Sequence, residues 1–200
     1  MADAKLSALT ALTGANVATG DLYYIDDVSV TTGKSITAAE NRKALSRTIM
    51  TPQDTTSGTA WDFSIPSLVN EIVLPLSAFS TNGTGSILVQ IGDAGGVETS
   101  SYDSGTFQSG ALGYSSGGFI LTTATVAARA YSGRIVLTLL DATTFTWACS
   151  ATLVESTGSA AVIHLSAGSK SLSQELSSVR LTTVGPDTGD AGKVGCQYER

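Results

Sequence analysis

Alternation of apolar and polar residues is the main pattern of the chain from Trp61 onward. It is clearest between Thr144 and Val154, where apolar side chains take every second position: Phe145, Trp147, Cys149, Ala151 and Leu153. Successive side chains of a strand point to opposite faces, so this period of two predicts a strand with one face in a core.

Similar runs, separated by turns rich in Gly, Ser and Thr, predict about nine strands. Their approximate bounds are 61–65, 69–79, 86–92, 118–122, 133–140, 144–154, 161–166, 179–183 and 193–198. Short strands with turn punctuation and almost no helix signal favour an all-β fold, an antiparallel β-sandwich of two sheets. A jelly roll is the most economical topology for that strand number.

Two local signals refine this prediction. Asn82-Gly83 lies between two predicted strands and is the dipeptide that best tolerates the positive φ angles of a type I′ hairpin turn. Pro75 interrupts an apolar run and has no N–H for a sheet ladder, so it predicts an edge strand or a bulge.

The stretch from Asp93 to Gly118 is rich in Gly, Ser and Tyr and predicts a long loop or a flexible hairpin. Its aromatic residues Tyr102, Phe107 and Tyr114 are candidate contacts for a ligand or a protein, because aromatic rings offer much apolar area with few rotamers to restrict. The alternative is that some of them anchor the region to the core.

The first quarter of the chain has a different pattern. Leucines at Leu6, Leu9 and Leu12 precede a strand-like run from Asp21 to Val30, and the capping-box spacing of Thr37 and Glu40 predicts a short helix over 38–47. This helix has few apolar positions, so the segment needs a partner to stay folded. The candidate docking residues are Leu6, Leu9, Leu12, Leu22, Tyr23, Tyr24, Ile25 and Leu45.

A polar stretch with Pro and Gly follows this segment and has the composition of a linker. The predicted organisation is therefore an N-terminal docking or oligomerisation arm over 1–52, a linker over 53–60 and a β-sandwich domain over 61–200.

Charge and hydropathy narrow the set of partners. The 200 residues carry a formal net charge of -6, which opposes binding to a phosphate backbone, so we expect no nucleic-acid partner. The sequence has neither an apolar run of about 20 residues nor a basic and apolar secretory signal at its start. We therefore expect that the protein is made in a cytoplasm and does not insert into a membrane.

Groups that could carry catalysis are sparse. His164 is the single histidine and alternates with apolar neighbours in a predicted strand, which favours a structural or exposed histidine over a catalytic base. Carboxylates that could serve a glycosidase lie mostly in turn contexts: Asp93, Glu98, Asp103, Asp141 and Glu155. The sequence predicts no enzyme and no cofactor.

Metal and disulfide chemistry have equally weak signals. Asp187 and Asp190 lack the spacing of a dedicated calcium loop and predict a solvated turn. Cys149 and Cys196 have no CxxC spacing, so we expect two reduced core thiols and no metal site, although facing strands would also allow a bridge between them.

Two stretches carry a resemblance to a known class of protein. Residues 5–18, 21–29 and 34–40 resemble the N-terminal segment of many phage fibre and other virion proteins. Residues 61–66, 80–84, 89–99 and 179–183 are similar to a β-sandwich module of phage tail-fibre, tail-spike and head-decoration proteins.

This resemblance implies a structural protein of a tailed-bacteriophage virion, made in the cytoplasm of the bacterial host. Its arm would dock on other virion proteins of the capsid, neck or baseplate, and its β domain would face outward, commonly as a homotrimer. Tail fibre, head fibre and capsid decoration all stay open. The alternative is a host-adhesion module that binds a surface glycan through the 93–118 region.

Overall fold

The computed structural model of this chain describes residues 22–25, 34–37, 47–127, 129–156, 158 and 161–200. The chain divides into two compact units, Met1–Ser46 and Arg47–Arg200.

In the first unit the described residues form one antiparallel pair of strands. Strand β1 (Leu22–Ile25) pairs with β2 (Lys34–Thr37), with Leu22 opposite Thr37 and Ile25 opposite Lys34. Leu22, Tyr23, Tyr24 and Ile25 thus form β1, inside the predicted strand-like run. Leu6, Leu9, Leu12 and Leu45 lie outside the described residues, as does the predicted helix except for Arg47.

The second unit is all-β within its described residues. Its strands are β3 (Thr48–Ile49), β4 (Gln53–Asp54), β5 (Ala60–Ser64), β6 (Glu71–Thr81), β7 (Ile87–Asp93), β8 (Gly96–Val97), β9 (Asp103–Gln108), β10 (Ala111–Ser115), β11 (Phe119–Ile120), β12 (Ala130–Asp141), β13 (Thr146–Ser156), β14 (Ala161–Ser171), β15 (Ser178–Thr183), β16 (Gly189–Val194) and β17 (Gln197–Glu199).

These strands form two antiparallel sheets in a sandwich-like arrangement. The larger has ten described strands in the order β10-β9-β14-β13-β12-β6-β16-β4, with β17 beside β6 and β3 beside β17. The smaller has the order β11-β7-β15-β5, with β8 beside β7. The sequence prediction of an antiparallel all-β protein is confirmed at this level.

The core lies between the sheets and draws on both. Ile72, Leu74 and Ile135 of the large sheet and Val89 and Val179 of the small sheet are fully buried members of one cluster. Trp61 meets Phe79 edge to face, with ring centroids 5.2 Å apart. Burying a side chain such as Ile72 or Val89 stabilises a fold by about 1.5–3 kcal/mol. The cluster between the two sheets is therefore the main source of stability.

The alternation that predicted β13 is confirmed. Trp147, Cys149 and Leu153 are buried, whereas Ser150 and Thr152 between them are exposed. Phe145, the first member of the pattern, lies in the preceding turn with a φ of 48° and packs against the core from there.

Residues 47–60 differ from the predicted end of the arm and linker. The second unit begins at Arg47, β3 pairs with β17, and β4 pairs with β16. Thr55 is fully buried and its hydroxyl donates to the carbonyl of Ala191 at 2.8 Å. A polar segment can be buried when its polar groups find hydrogen-bond partners. The partner of Thr55 is 136 residues away in the sequence, so the composition of the segment alone suggests a linker.

The predicted hairpin turn at Asn82-Gly83 is wrong. The flanking strands β6 and β7 belong to different sheets, and neither residue has a positive φ. Gly83 instead allows a close approach, because a Cβ there would overlap the carboxylate of Asp187. That carboxylate accepts a hydrogen bond from the Gly85 N–H at 2.5 Å, while Asn82 accepts one from Thr188.

Pro75 does not lie on an edge strand, because β6 has partners on both sides. It faces the break between β16 and β17, where the Gly195 N–H donates to the Pro75 carbonyl at 2.9 Å. The missing N–H of proline therefore falls where the neighbouring strand is interrupted, between β16 and β17.

Most of the 93–118 region is a hairpin of the large sheet, the second of the two predicted alternatives, while Gly96–Val97 forms β8 of the small sheet. Strands β9 and β10 are joined by the two residues Ser109 and Gly110, whose φ angles are 43° and 85°. Positive φ at both central positions is the pattern of a type I′ turn. Because β9 also pairs with β14, the hairpin extends the sheet by two strands.

Candidate functional site

One outer face of the large sheet concentrates exposed apolar side chains. Ten large apolar residues are exposed in the described chain, and five of them lie on three adjacent strands: Phe107 on β9, Leu112 and Tyr114 on β10, and Ile163 and Leu165 on β14. We call these five residues the apolar face. Such clustering on a protein surface marks an interaction site more often than scattered exposure does.

Strand register brings these side chains together. Leu112 lies opposite Phe107, and Phe107 lies opposite Leu165, so the three form a row across the strands. Tyr114 lies opposite Gly105, and a Cβ built on that glycine would lie 3.7 Å from the tyrosine ring. The ring therefore covers the position where β9 has no side chain. A shallow cleft of about 270 Å³ runs between these residues.

Charged groups are rare around the apolar face. Along β9, β10, β13 and β14 the outward positions hold Ser, Thr, Ala, Gly and apolar residues, and Asp103 is the one charged side chain among them. Interface cores are depleted in charge in the same way, since a buried charge must be paired. This composition suits a surface that is covered by another polypeptide.

The three aromatic residues predicted as contacts have different environments. Phe107 is 46% exposed and Tyr114 is 77% exposed, so both are accessible. Tyr102 is buried at 5% exposure and packs edge to face on Phe119. Its hydroxyl accepts from the Ile91 N–H at 2.8 Å, and burial raises its pKa to about 12. Tyr102 is thus mainly a core anchor, and it also contributes to the lining of a second cleft.

A second cleft adjoins Tyr114 on the same hairpin. It measures about 410 Å³ and its rim includes Asp103, Ser104, Ser115 and Ser116. An exposed aromatic ring beside a carboxylate and hydroxyl groups can stack on a sugar ring and accept hydrogen bonds from its hydroxyls.

A buried polar cluster escaped the sequence analysis. Glu155 on β13 is 2% exposed. Its carboxylate shares a hydrogen bond of 2.9 Å with Nε2 of the fully buried His164. Its other carboxylate oxygen binds the guanidinium of Arg129. Tyr131 lies opposite Glu155 on β12 and packs edge to face on the His164 ring.

This cluster is structural, because its histidine has no accessible surface through which a substrate could reach it. The alternation of β13 contained the signal for it. The alternation placed Leu153 on the core side of β13, and Glu155, two residues later, must point to the same side. Of the two alternatives for His164, a structural or an exposed residue, the structure agrees with the first, but its carboxylate partner was missed.

A separate apolar cleft of about 380 Å³ is lined chiefly by Leu68, Leu139, Phe145, Trp147 and Leu176. The carboxylate of Glu175 at its rim accepts a hydrogen bond from the Leu68 N–H at 2.5 Å. That carboxylate is therefore engaged by the protein itself, and the cleft walls offer mainly apolar contact.

Cys149 and Cys196 are both free and buried, and burial raises each thiol pKa to about 12. Among the described residues no three His, Cys, Asp or Glu side chains are grouped so that they could hold a metal ion. Within the same part of the chain there is no helix with the length and apolar character needed to cross a membrane.

Comparison with known proteins adds no relative: no family model, no curated protein and no solved structure matches this chain.

Proposed function

We propose that this chain is a structural component of a tailed-bacteriophage virion that attaches through its N-terminal segment and presents its β unit on the particle. The observation that supports this role best is the apolar face, an uncharged and exposed surface on a long antiparallel sheet. A protein with such a surface gains stability when a neighbouring subunit covers it. The sequence resemblance to virion proteins supplies the kind of assembly.

Several finer expectations belong to this proposal and stay predictions. They are a jelly-roll topology, an N-terminal helix, a homotrimer, and docking of the N-terminal segment on capsid, neck or baseplate proteins. The choice between tail fibre, head fibre and capsid decoration depends on where that segment binds.

Cryo-electron microscopy of particles that carry this protein tests the assignment. We expect the chain in purified particles at a fixed copy number, with residues 1–46 in contact with another virion protein and the β unit outside. Contacts with the capsid lattice would identify a decoration or head-fibre protein, and contacts in the neck or baseplate a tail fibre. Absence of the chain from purified particles would contradict the proposal.

The second cleft supports one alternative function, a host-adhesion module that binds a surface glycan. Its exposed Tyr114 and neighbouring Asp103 provide a stacking surface and a hydrogen-bond acceptor. A glycan array with the wild type and Tyr114→Ala tests it. Specific binding that is lost in this variant favours adhesion. Tyr102→Ala is unsuitable for this purpose because Tyr102 supports the core.

A further inference from the structure

Within the part of the chain that the structure describes, the outermost strand of the large sheet has an open edge. Strand β10 pairs there with β9 alone, and its sequence Ala-Leu-Gly-Tyr-Ser contains no charge and no proline. Proteins commonly shield an exposed strand edge with charged residues, proline or a bulge, since open N–H and C=O groups template further pairing. At the other end of the same sheet, β4 is only two residues long, and its Asp54 pairs with Lys193.

The hydrogen-bonding groups that face outward from β10 can be assigned. The two-residue turn makes Gln108 and Ala111 a hydrogen-bonded pair, and the inward pairing then recurs at Gly113 and Ser115. The N–H and C=O groups of Leu112 and Tyr114 therefore point away from β9. Among the described residues the N–H and C=O groups of Leu112 and Tyr114 have no backbone hydrogen-bond partner on this outward side. Their side chains are 64% and 77% exposed.

We infer that β10 pairs antiparallel with β10 of a second copy of this chain, about a twofold axis at Gly113. In this register Leu112 lies opposite Tyr114 of the second copy. Both residues point their N–H and C=O groups outward, so they can form a hydrogen-bonded pair of an antiparallel ladder. Gly113 lies opposite its counterpart, and Ala111 lies opposite Ser115. This inference rests on the proposed assembly role of the apolar face and names its partner.

A second copy fits this edge because the strand is complementary to itself. In an isologous contact the residue on the axis lies opposite its own symmetry mate and its neighbours lie near theirs, so a charge in this segment would lie close to a like charge. No residue from Ala111 to Ser115 is charged, and the Leu–Tyr cross-strand pair is favourable. The row of Leu165, Phe107 and Leu112 would continue into Tyr114 of the second copy, giving one apolar strip across both sheets.

The expected contact is weak in solution. Pairing of two five-residue strands buries much less than the roughly 1,600 Å² of a standard interface. Association should therefore become significant at high protein concentration or on a particle, where copies are held close together.

Engineered cysteines test the register. In the proposed pairing, Ala111 and Ser115 of the second copy form a non-hydrogen-bonded pair with Cα atoms about 4.5 Å apart, within the range of a disulfide. Two Ala111 residues would lie about 14 Å apart, because four residues of strand separate them. The native Cys149 and Cys196 are buried and act as a constant background.

Under mild oxidation the full chain carrying both Ala111→Cys and Ser115→Cys should form a covalent dimer at least tenfold faster than either single variant. Adding Leu112→Lys should abolish this crosslink by placing a charge at the centre, whereas adding Val184→Lys, at a residue that is 48% exposed elsewhere, should not. Failure to crosslink, equal crosslinking of a single variant, or crosslinking that survives Leu112→Lys would each overturn the inference.

Sedimentation equilibrium of the variants without added cysteines provides an independent measurement. The wild type and Val184→Lys should show the same concentration-dependent association, and Leu112→Lys should weaken it at least tenfold. Unchanged association in Leu112→Lys would assign self-association to another surface. Both measurements use the isolated chain. A negative result in them would contradict the β10 pairing alone, whereas absence of the chain from purified virions would contradict the proposed function.

Discussion

Glu155 is the residue whose environment departs most from an ordinary surface carboxylate. It lies in the interior between the guanidinium of Arg129 and the ring of His164. We expect Glu155→Gln to lower the free energy of unfolding by about 3 kcal/mol, because removing one member of a buried ion pair leaves the other uncompensated. The effect should lie at the low end of the usual range, since the Arg129 side chain is 38% exposed and can be rehydrated.

Urea unfolding measures this change as a shift in midpoint at constant slope. Asp62→Asn is the matched control, because it removes a carboxylate from a surface pair with Arg180 and should cost less than about 1 kcal/mol. Equal losses in the two variants would show that burial of Glu155 contributes nothing.

Asp93 gives the fold a pH dependence at the residue scale. The hydrogen bond from the Ser173 hydroxyl, joined by those from the Gly95 and Gln174 N–H groups, holds the pKa of Asp93 below its usual value of 3.8. A carboxylate whose folded pKa is depressed contributes stability above its unfolded pKa and loses it as pH falls toward the folded pKa. This contribution should therefore be complete above about pH 5 and should decline as pH falls through the unfolded pKa toward the lower folded pKa.

We expect Asp93→Asn to lower the free energy of unfolding at pH 7 and to flatten its decline between about pH 5 and pH 2. Unfolding curves at several pH values measure both effects. Asp190→Asn makes the same change of charge at an exposed position and should leave the curve close to that of the wild type. A parallel curve for Asp93→Asn would mean that other carboxylates cause the acid sensitivity.

At the scale of elements, the β9–β10 hairpin depends on its two turn residues. Gly110 has a φ of 85°, which an L side chain rarely adopts, so Gly110→Ala should lower stability by about 1–2 kcal/mol. Ser109 has a φ of 43°, and Ser109→Asn should raise stability by several tenths of a kcal/mol, because Asn-Gly is the preferred type I′ pair.

Thermal unfolding monitored by circular dichroism can rank these variants. Gly117→Ala is the control, since a Cβ there meets no atom closer than 3.6 Å and its φ is not in the left-handed region. A loss in Gly117→Ala as large as that in Gly110→Ala would contradict the role assigned to the turn.

Turn chemistry also shows where prediction from the sequence failed among the elements. Asn82-Gly83 has the better hairpin dipeptide, yet Ser109-Gly110 forms the hairpin turn. The difference lies in the flanking strands, because β6 and β7 enter separate sheets whereas β9 and β10 pair with each other. A dipeptide preference of about 1 kcal/mol cannot outweigh the burial of two whole strands.

At the scale of the molecule, the second unit should fold alone. Its strands β3 to β17 pair among themselves, and its core draws on both sheets. We expect a fragment of residues 47–200 to unfold cooperatively within about 3 °C of the full chain, equivalent to about 1 kcal/mol at this size.

A fragment of residues 61–200 tests the boundary expected from composition. It lacks β3, β4 and the buried Thr55, which leaves parts of β16 and β17 without partners. It should melt at least about 6 °C lower than residues 47–200, reflecting about 2 kcal/mol or more. Equal melting temperatures would restore residues 53–60 as a linker.

The sequence alone determined the fold class and most strand positions, because each strand of a two-layer sandwich must place apolar residues on one face. That requirement is local, so β13 could be identified from Trp147, Cys149 and Leu153 without its neighbours. Phe107 and Tyr114 were proposed as contacts from the composition of the 93–118 region, and both are exposed.

Only the tertiary structure decided which strands pair and which side chains meet. It put Tyr102 in the core, joined Glu155 to His164, made β3 and β4 part of the large sheet, and aligned Leu112, Phe107 and Leu165 into an exposed row. Each of these depends on contacts between residues distant in the chain. The free energy of such contacts comes from burial and mutual satisfaction of polar groups, which no local pattern encodes.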